Sequence, residues 1–194
     1  MSLLTVEEFD NVSHFPGKLT RKQKKQFRKN NNNSLKLKNI VPKTINQEKA
    51  FNLYNKDYNL LLHGLAGTGK TYISLYLALS DIINGYTDHT NLTLVRSVVP
   101  TRDMGFLPGT EKEKSKVYEA PYMNICNDIF GRGDAYDILK GKNIIKFVTT
   151  SYIRGITLDD SIVLVDEAQN LNFHELDSII TRLGDNISKG IYHL

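Results

Sequence analysis

Residues 60–79 read LLLHGLAGTGKTYISLYLAL: an apolar burst, a turn holding three glycines and one lysine, then an apolar-rich stretch with helical spacing. A short leucine run bounded by a glycine turn predicts a buried strand over Asn59–His63. The spacing after Gly69 predicts a helix to about Ile83, stopped by Gly85. The turn between them, Gly64-Leu65-Ala66-Gly67-Thr68-Gly69-Lys70-Thr71, satisfies G-x-x-x-x-G-K-[ST] at every fixed position and lies between strand and helix, as that pattern requires. Glycine is needed because successive backbone N–H groups must point into one concavity, where a β-carbon would block an anion's oxygens. The following helix adds its unbonded N–H groups and the positive end of its dipole. Lys70 supplies a mobile positive charge for the β and γ oxygens of a nucleoside triphosphate, and the Thr71 hydroxyl suits Mg²⁺. The turn therefore reads as a cradle for a nucleoside triphosphate with Mg²⁺ rather than as a bare chain reversal.

Such a cradle predicts an acid at the end of a neighbouring apolar strand. SIVLVDEAQN, Ser161–Asn170, supplies Asp166 for the metal side and Glu167 to polarise an attacking water. A passive binder has no need of Glu167, so the pair favours hydrolysis over binding alone. Gln169, two residues on, either senses the γ-phosphate and the water or is a solvent-facing glutamine at a helix start. The catalytic candidates are thus Glu167, Lys70 and Gln169, and the metal candidates Thr71 and Asp166.

Elsewhere the pattern predicts helices over Thr44–Asn55, Ser115–Phe130, Ala135–Leu139 and Phe173–Leu183. It predicts strands over Asn91–Val99, Asn143–Ile153 and Ser161–Asn170, and a polar loop over Pro100–Ser115. The Thr44–Asn55 helix is expected to turn Ile45, Ala50, Phe51 and Tyr54 inward. Strands alternating with helices imply an α/β fold, a parallel sheet with helices on both faces and its binding crevice at the carboxyl ends of the strands. Both the glycine turn and the acids sit at such ends.

Composition bounds the rest. The 194 residues are 40% hydrophobic and 24% charged, and Cys126 is the only cysteine. An intramolecular disulfide is excluded, and Cys126, within an apolar run, reads as a small buried hydrophobe. The start MSLLTVEEFD lacks the pattern of a signal peptide, and no apolar run is long enough for a membrane span, so a cytoplasmic protein is expected. Charge is uneven. Lys18–Lys38 holds nine basic residues and no acid; setting them aside leaves 16 basic against 21 acidic residues, a balance of about −5. With its asparagine tract at Asn30–Asn33, residues 1–39 read as a basic arm without a core of its own, ahead of a folded domain over 40–194. Two readings of the arm stand: a contact for the phosphates of RNA or single-stranded DNA, or a solubilising linker.

GLAGTGKT, LVRSVVPTRDMGFLPG, SYIRGITL and IVLVDEAQN…ITRLGDN, in that order, resemble the PhoH-like family of P-loop ATPases, its phage-encoded members especially. That family is related to the first RecA-like domain of superfamily 1 helicases. The likeness covers roughly Thr44–Asn186; the P-loop and acidic motif are widely shared, whereas GFLPG and YIRG are far more specific to the family. It implies a RecA-like P-loop NTPase fold, a role for Gln47 in reading the adenine edge, a functional Arg154, and Arg96 near the nucleotide or nucleic-acid path. Leu65 stands where the family usually has proline. The resemblance also implies a further buried strand and a γ-phosphate-sensing Gly-Asp…Gln segment after RLGDN, where this chain reads ISKGIYHL. The expectation is therefore a C-terminally incomplete sheet with an exposed edge, a departure that bears on turnover more than on binding.

The leading reading is a Mg²⁺-dependent ATPase acting with RNA or DNA. A lone RecA-like domain would work as a homo-oligomeric ring in which a neighbour lends an arginine, with Arg102, Arg132 and Arg182 as candidates. The alternatives are a non-hydrolysing nucleotide-binding or interaction protein and, third, a small-molecule kinase, which the DEAQ sequence argues against.

Overall fold

The computed structural model describes residues 35–97, 111–153, 156–182 and 190–193, with side chains from residue 116 onward in the second stretch. The chain divides into two units, Met1–Leu35 and Lys36–Leu194, and the second carries the architecture below. In chain order its elements are α1 (Ile45–Tyr54), β1 (Leu60–Leu62), α2 (Lys70–Asn84), β2 (Asn91–Arg96), α3 (Glu111–Phe130), α4 (Ala135–Gly141), β3 (Ile145–Thr149), α5 (Thr150–Ile153), β4 (Ser161–Asp166), a 3₁₀ turn (Ala168–Asn170), α6 (Phe173–Ile180) and β5 (Gly190–His193).

The five strands form one sheet in the order β1-β5-β4-β2-β3, and every pairing is parallel. All six residues of β4 are buried, which is why it reads as an unbroken apolar run rather than an alternating one. Its Val163 and Val165 pack with Val95 of β2, Ile153 of α5 and Ile179 of α6. The alternate residues Ile162 and Leu164, with Leu92 and Leu94 of β2, are also buried and point to the opposite face. Helix α2 packs against β2, β4 and β5 and contributes nothing to the first cluster, so it covers that second face. The expected α/β architecture, a parallel sheet flanked by helices, is present.

The helix ends have local causes. Thr44 caps α1 by accepting from the Gln47 amide at 3.2 Å. Gly85 closes α2 in the left-handed region, φ 70°, where a β-carbon would clash. Asn172 and Glu175 form a reciprocal capping box at the start of α6.

Several boundaries differ from expectation. The strand expected over Asn143–Ile153 ends at Thr149 and turns at once into α5; Thr150, Tyr152 and Ile153 are strand-forming residue types, so nothing local marks the change to helix. The strand through Asn170 stops at Asp166, and α3 begins at Glu111 rather than Ser115. Ile45, expected to face inward on α1, is exposed, whereas Ala50 and Tyr54 are buried. Lys38, counted with the basic arm, donates its amide to the Ile129 carbonyl at 2.9 Å and pairs with Asp128 at 2.9 Å.

The largest correction concerns the C-terminal segment. Gly190–His193 is not missing from the sheet; it is an internal strand, seated between β1 and β4. Its four residues are too few to show a period, and the tyrosine and histidine masked an otherwise buried run. The described edges of the sheet are β1 and β3.

Replacing Ile191, fully buried in β5, by alanine should lower the unfolding free energy by about 2–5 kcal/mol. Leu61→Ala, at the exposed position of β1, should cost less than ~0.5 kcal/mol. Urea denaturation followed by far-UV circular dichroism checks both, and equal costs would contradict the position assigned to β5.

Candidate functional site

The site forms at the carboxyl ends of β1, β4 and β5, where the chain leaves the sheet. After Leu62 the backbone passes through Gly64–Gly69 and enters α2 at Lys70. Gly67 and Gly69 hold φ of 78° and 85°, left-handed conformations that other residues adopt at a cost. A β-carbon on Gly67 would meet no protein atom within 4 Å, so backbone conformation, not crowding by the protein, sets the requirement there. A cavity of about 360 Å³ opens over this turn, lined by Gly64, Ala66–Thr71, Asp166, Glu167, Gln169 and His193 among others.

Lys70 donates to the carbonyls of Gly64 at 2.7 Å and Leu65 at 3.1 Å. Its recorded partners among the described residues are thus carbonyls, which orient the ammonium without cancelling its charge. Thr68 steadies the same turn by donating to the Leu65 carbonyl at 2.9 Å. Leu65 itself is 83% exposed, its side chain outside the cavity. Gln47, on the first turn of α1, accepts from the Lys43 amide at 2.7 Å and donates to the Thr68 carbonyl at 3.3 Å, tying that helix to the rim of the turn.

Asp166 ends β4 opposite Arg96 in the parallel register. Thr71 donates to its Oδ1 at 3.3 Å, and Tyr122 of α3 donates to Oδ2 at 2.7 Å. His193 Nδ1 lies 2.9 Å from Oδ1. Burial alone would raise this carboxyl, but the hydrogen bonds from His193 and Tyr122 and the charges of His193 and Arg96 outweigh it and hold Asp166 below the usual carboxylate range. The Arg96 guanidinium lies 5.9 Å over the Tyr122 ring. Burial, then the charge and hydrogen bond of Asp166, raises the Tyr122 hydroxyl far above its ordinary value, so it remains a donor.

Glu167 takes a left-handed conformation, φ 55°, at the exit from β4, an arrangement that costs a non-glycine residue about 1–2 kcal/mol. Gln169 donates its amide to the Glu167 carboxylate. The sequence candidates Lys70, Thr71, Asp166, Glu167 and Gln169 are therefore gathered around one cavity, whereas Gln47 reaches the turn from outside it. Arg154 and Arg102 lie outside the described residues. Arg132 forms a two-point pair with Asp134, and Arg182 donates to the Ile156 carbonyl at 3.4 Å. Cys126 is buried, and burial pushes its thiol up to about 12, which removes it from nucleophilic chemistry.

Sequence reasoning missed Tyr122, Ser74 and His193. None stands in a recognisable motif; His193 and Ser74 required the sheet order that brings β5 beside β4, and Tyr122 required the placement of α3.

A hydroxyl and a carboxylate side by side are hard oxygen donors of the kind Mg²⁺ takes. An ammonium and backbone N–H groups at a helix start are what a polyphosphate takes. The residues present fit both groups.

Comparison with known proteins gives the same direction. A family model described as PhoH-like protein matches residues 39–192. The chain belongs to the PhoH-like family. A PhoH-like protein of Bacillus subtilis is 35% identical over 147 residues, covering 76% of this chain and 46% of the relative. Protein PhoH2 of the same organism is 35% identical over 152 residues, covering 75% and 34%. Protein PhoH of Escherichia coli is 33% identical over 129 residues, covering 64% and 35%. This PhoH-like chain thus spans less than half the length of these curated relatives. No helix among its described residues is long and apolar enough to cross a membrane.

The depressed Asp166 carboxyl has a pH consequence. Stability that comes from the ionised form is present above the ordinary carboxylate value of about 3.9 and is lost as pH falls through the lower folded value. Acid unfolding of the wild-type chain should therefore be steeper below about pH 4 than that of Asp166→Asn. Parallel acid profiles of the two proteins would contradict the network around Asp166.

Proposed function

We propose that this PhoH-like chain binds Mg·ATP in the Gly64–Thr71 cradle and hydrolyses it, working with RNA or single-stranded DNA. The observation that carries the reading is an ammonium at Lys70, held by carbonyls among the described residues and facing a cavity that also holds the Thr71–Asp166 oxygen pair and Glu167. Turn amides from Gly64 to Gly69 and the start of α2 hold the phosphate oxygens, and Lys70 exchanges its carbonyl partners for the β and γ oxygens. Thr71 and Asp166 would hold Mg²⁺, and the ion would supply positive charge against that developing on the phosphate.

Glu167 orients the attacking water and takes its proton, and the Gln169 amide donates to that carboxylate and aims it. Gln47, bonded to the cradle's rim, presents an amide suited to an adenine edge, and Arg154, outside the described residues, is assigned to nucleotide binding by family likeness alone. A neighbouring copy in a ring completes the site with an arginine; such a residue is worth about 10³–10⁵ in rate. The basic run from Lys18 contacts nucleic-acid phosphates.

Lys70→Ala should abolish both nucleotide binding and turnover, whereas Glu167→Gln should keep binding and lower turnover by about 10²–10⁴-fold. Equilibrium binding and phosphate release check the pair. Binding by the wild type with no turnover, unchanged by Glu167→Gln, would favour the non-hydrolysing alternative. Removing residues 1–34 should weaken RNA affinity and reduce its salt dependence by about 0.7 logarithmic units of slope per lost phosphate contact. An unchanged slope would assign the arm to a linker role.

A further inference from the structure

Strand β5 separates the strand that leads into the glycine turn from the strand that ends in Asp166, and its last described residue, His193, fills the gap between them. His193 is paired in register with Leu62 and lies one residue beyond the Val165–Tyr192 pair. Its imidazole is 1% exposed. Nε2 lies 2.7 Å from the hydroxyl of Ser74, one helical turn past Lys70 on α2, and Nδ1 lies 2.9 Å from Asp166 Oδ1. Ser74, itself fully buried, also reaches the Lys70 carbonyl at 3.0 Å.

Proton bookkeeping orients the ring. A carboxylate only accepts, so Nδ1 must carry the hydrogen that faces Asp166. A hydroxyl has one hydrogen: Ser74 either gives it to Nε2, or gives it to the Lys70 carbonyl and accepts from Nε2–H. Nδ1–H donates to Asp166 in both arrangements. Ser74, the hydroxyl end of this Ser-His-Asp series, is fully buried and does not line the cavity, so no substrate reaches it and a nucleophilic role is ruled out. What it can do is brace. The ring spans from the helix that begins at Lys70 to the carboxylate that faces Thr71, fixing the distance between the two halves of the site.

We propose that His193 is a positioning residue for Asp166, a strut between α2 and β4 that sets the carboxylate for divalent-cation binding beside the nucleotide phosphates. This inference rests on the Mg·nucleotide reading given above. Outer partners of metal-facing carboxylates carry about 10–100-fold in metal affinity when removed. The ring nitrogens of His193 meet Ser74 and Asp166 rather than the backbone N–H groups of the Gly64–Gly69 turn, so nucleotide binding without cation should survive its loss.

The test measures ADP affinity of the full chain by calorimetry across a Mg²⁺ series, with thermal unfolding alongside. His193→Ala should raise the Mg²⁺ concentration for half-maximal tightening by about tenfold or more while leaving cation-free affinity within about twofold. His193→Asn, whose amide N–H replaces Nδ1–H, should recover most of that loss. Ser74→Ala, which frees only the far end of the ring, should shift the requirement in the same direction by less. If His193→Ala fails to fold, the other two variants carry the same comparison. An unchanged Mg²⁺ requirement, or equal losses with and without Mg²⁺, overturns the strut and leaves the nucleotide site standing. A wild-type chain that binds no nucleotide overturns the site reading and the strut together.

Discussion

Five strands running in one direction cannot be joined by hairpins; each must be reached by a crossover that returns the chain to the same starting side. That constraint organises the molecule. It lines up every strand's carboxyl end on one side of the sheet, so residues far apart in sequence become neighbours there. Arg96 and Thr149 face each other at the ends of β2 and β3, and Arg96 faces Asp166 at the end of β4. The turn after β1 and the last residue of β5 join the same rim.

The parallel sheet also demands cover on both faces, and its residues meet that demand unevenly. β2 and β4 are inner strands of six residues each, and both are buried almost throughout. β1 is short and half-exposed at an edge, yet it leads into the tightest turn of the site. Packing energy is thus concentrated in the centre, while the strand that launches the cradle is anchored through β5. The buried polar groups Ser74, His193 and Asp166 are tolerable because each finds a partner. At the rim, Lys70 rests on carbonyls, and Asp166 rests on hydroxyls and an imidazole.

Much of this was legible in the sequence because the key stretches are local. Gly64–Thr71 carries its structural context on either side, and SIVLVDE announces a buried strand ending in acids. Those segments obey one period each, and the structure places them as expected. What failed was non-local or too short to have a period. Four residues, GIYH, could not be seen as an internal strand, because only pairing with β1 and β4 makes them one. Tyr122 could not be connected with Asp166, 44 positions away, without knowing how α3 lies on the sheet. The bend at Thr149, where a strand becomes a helix within one residue, is set by packing of Ile153 beneath α6 and not by local preference.

The account stands on the claim that the amides from Gly64 to Gly69 and the Lys70 ammonium enclose a polyphosphate, with a divalent ion beside Thr71 and Asp166. Crystals grown with Mn²⁺ and a non-hydrolysable ATP analogue test it most directly, because manganese scatters anomalously. The predicted result is one anomalous peak within coordinating or single-water distance of Thr71 Oγ1 and Asp166, with phosphates against the turn. An ordered analogue whose phosphates and metal lie away from these residues would contradict the claim.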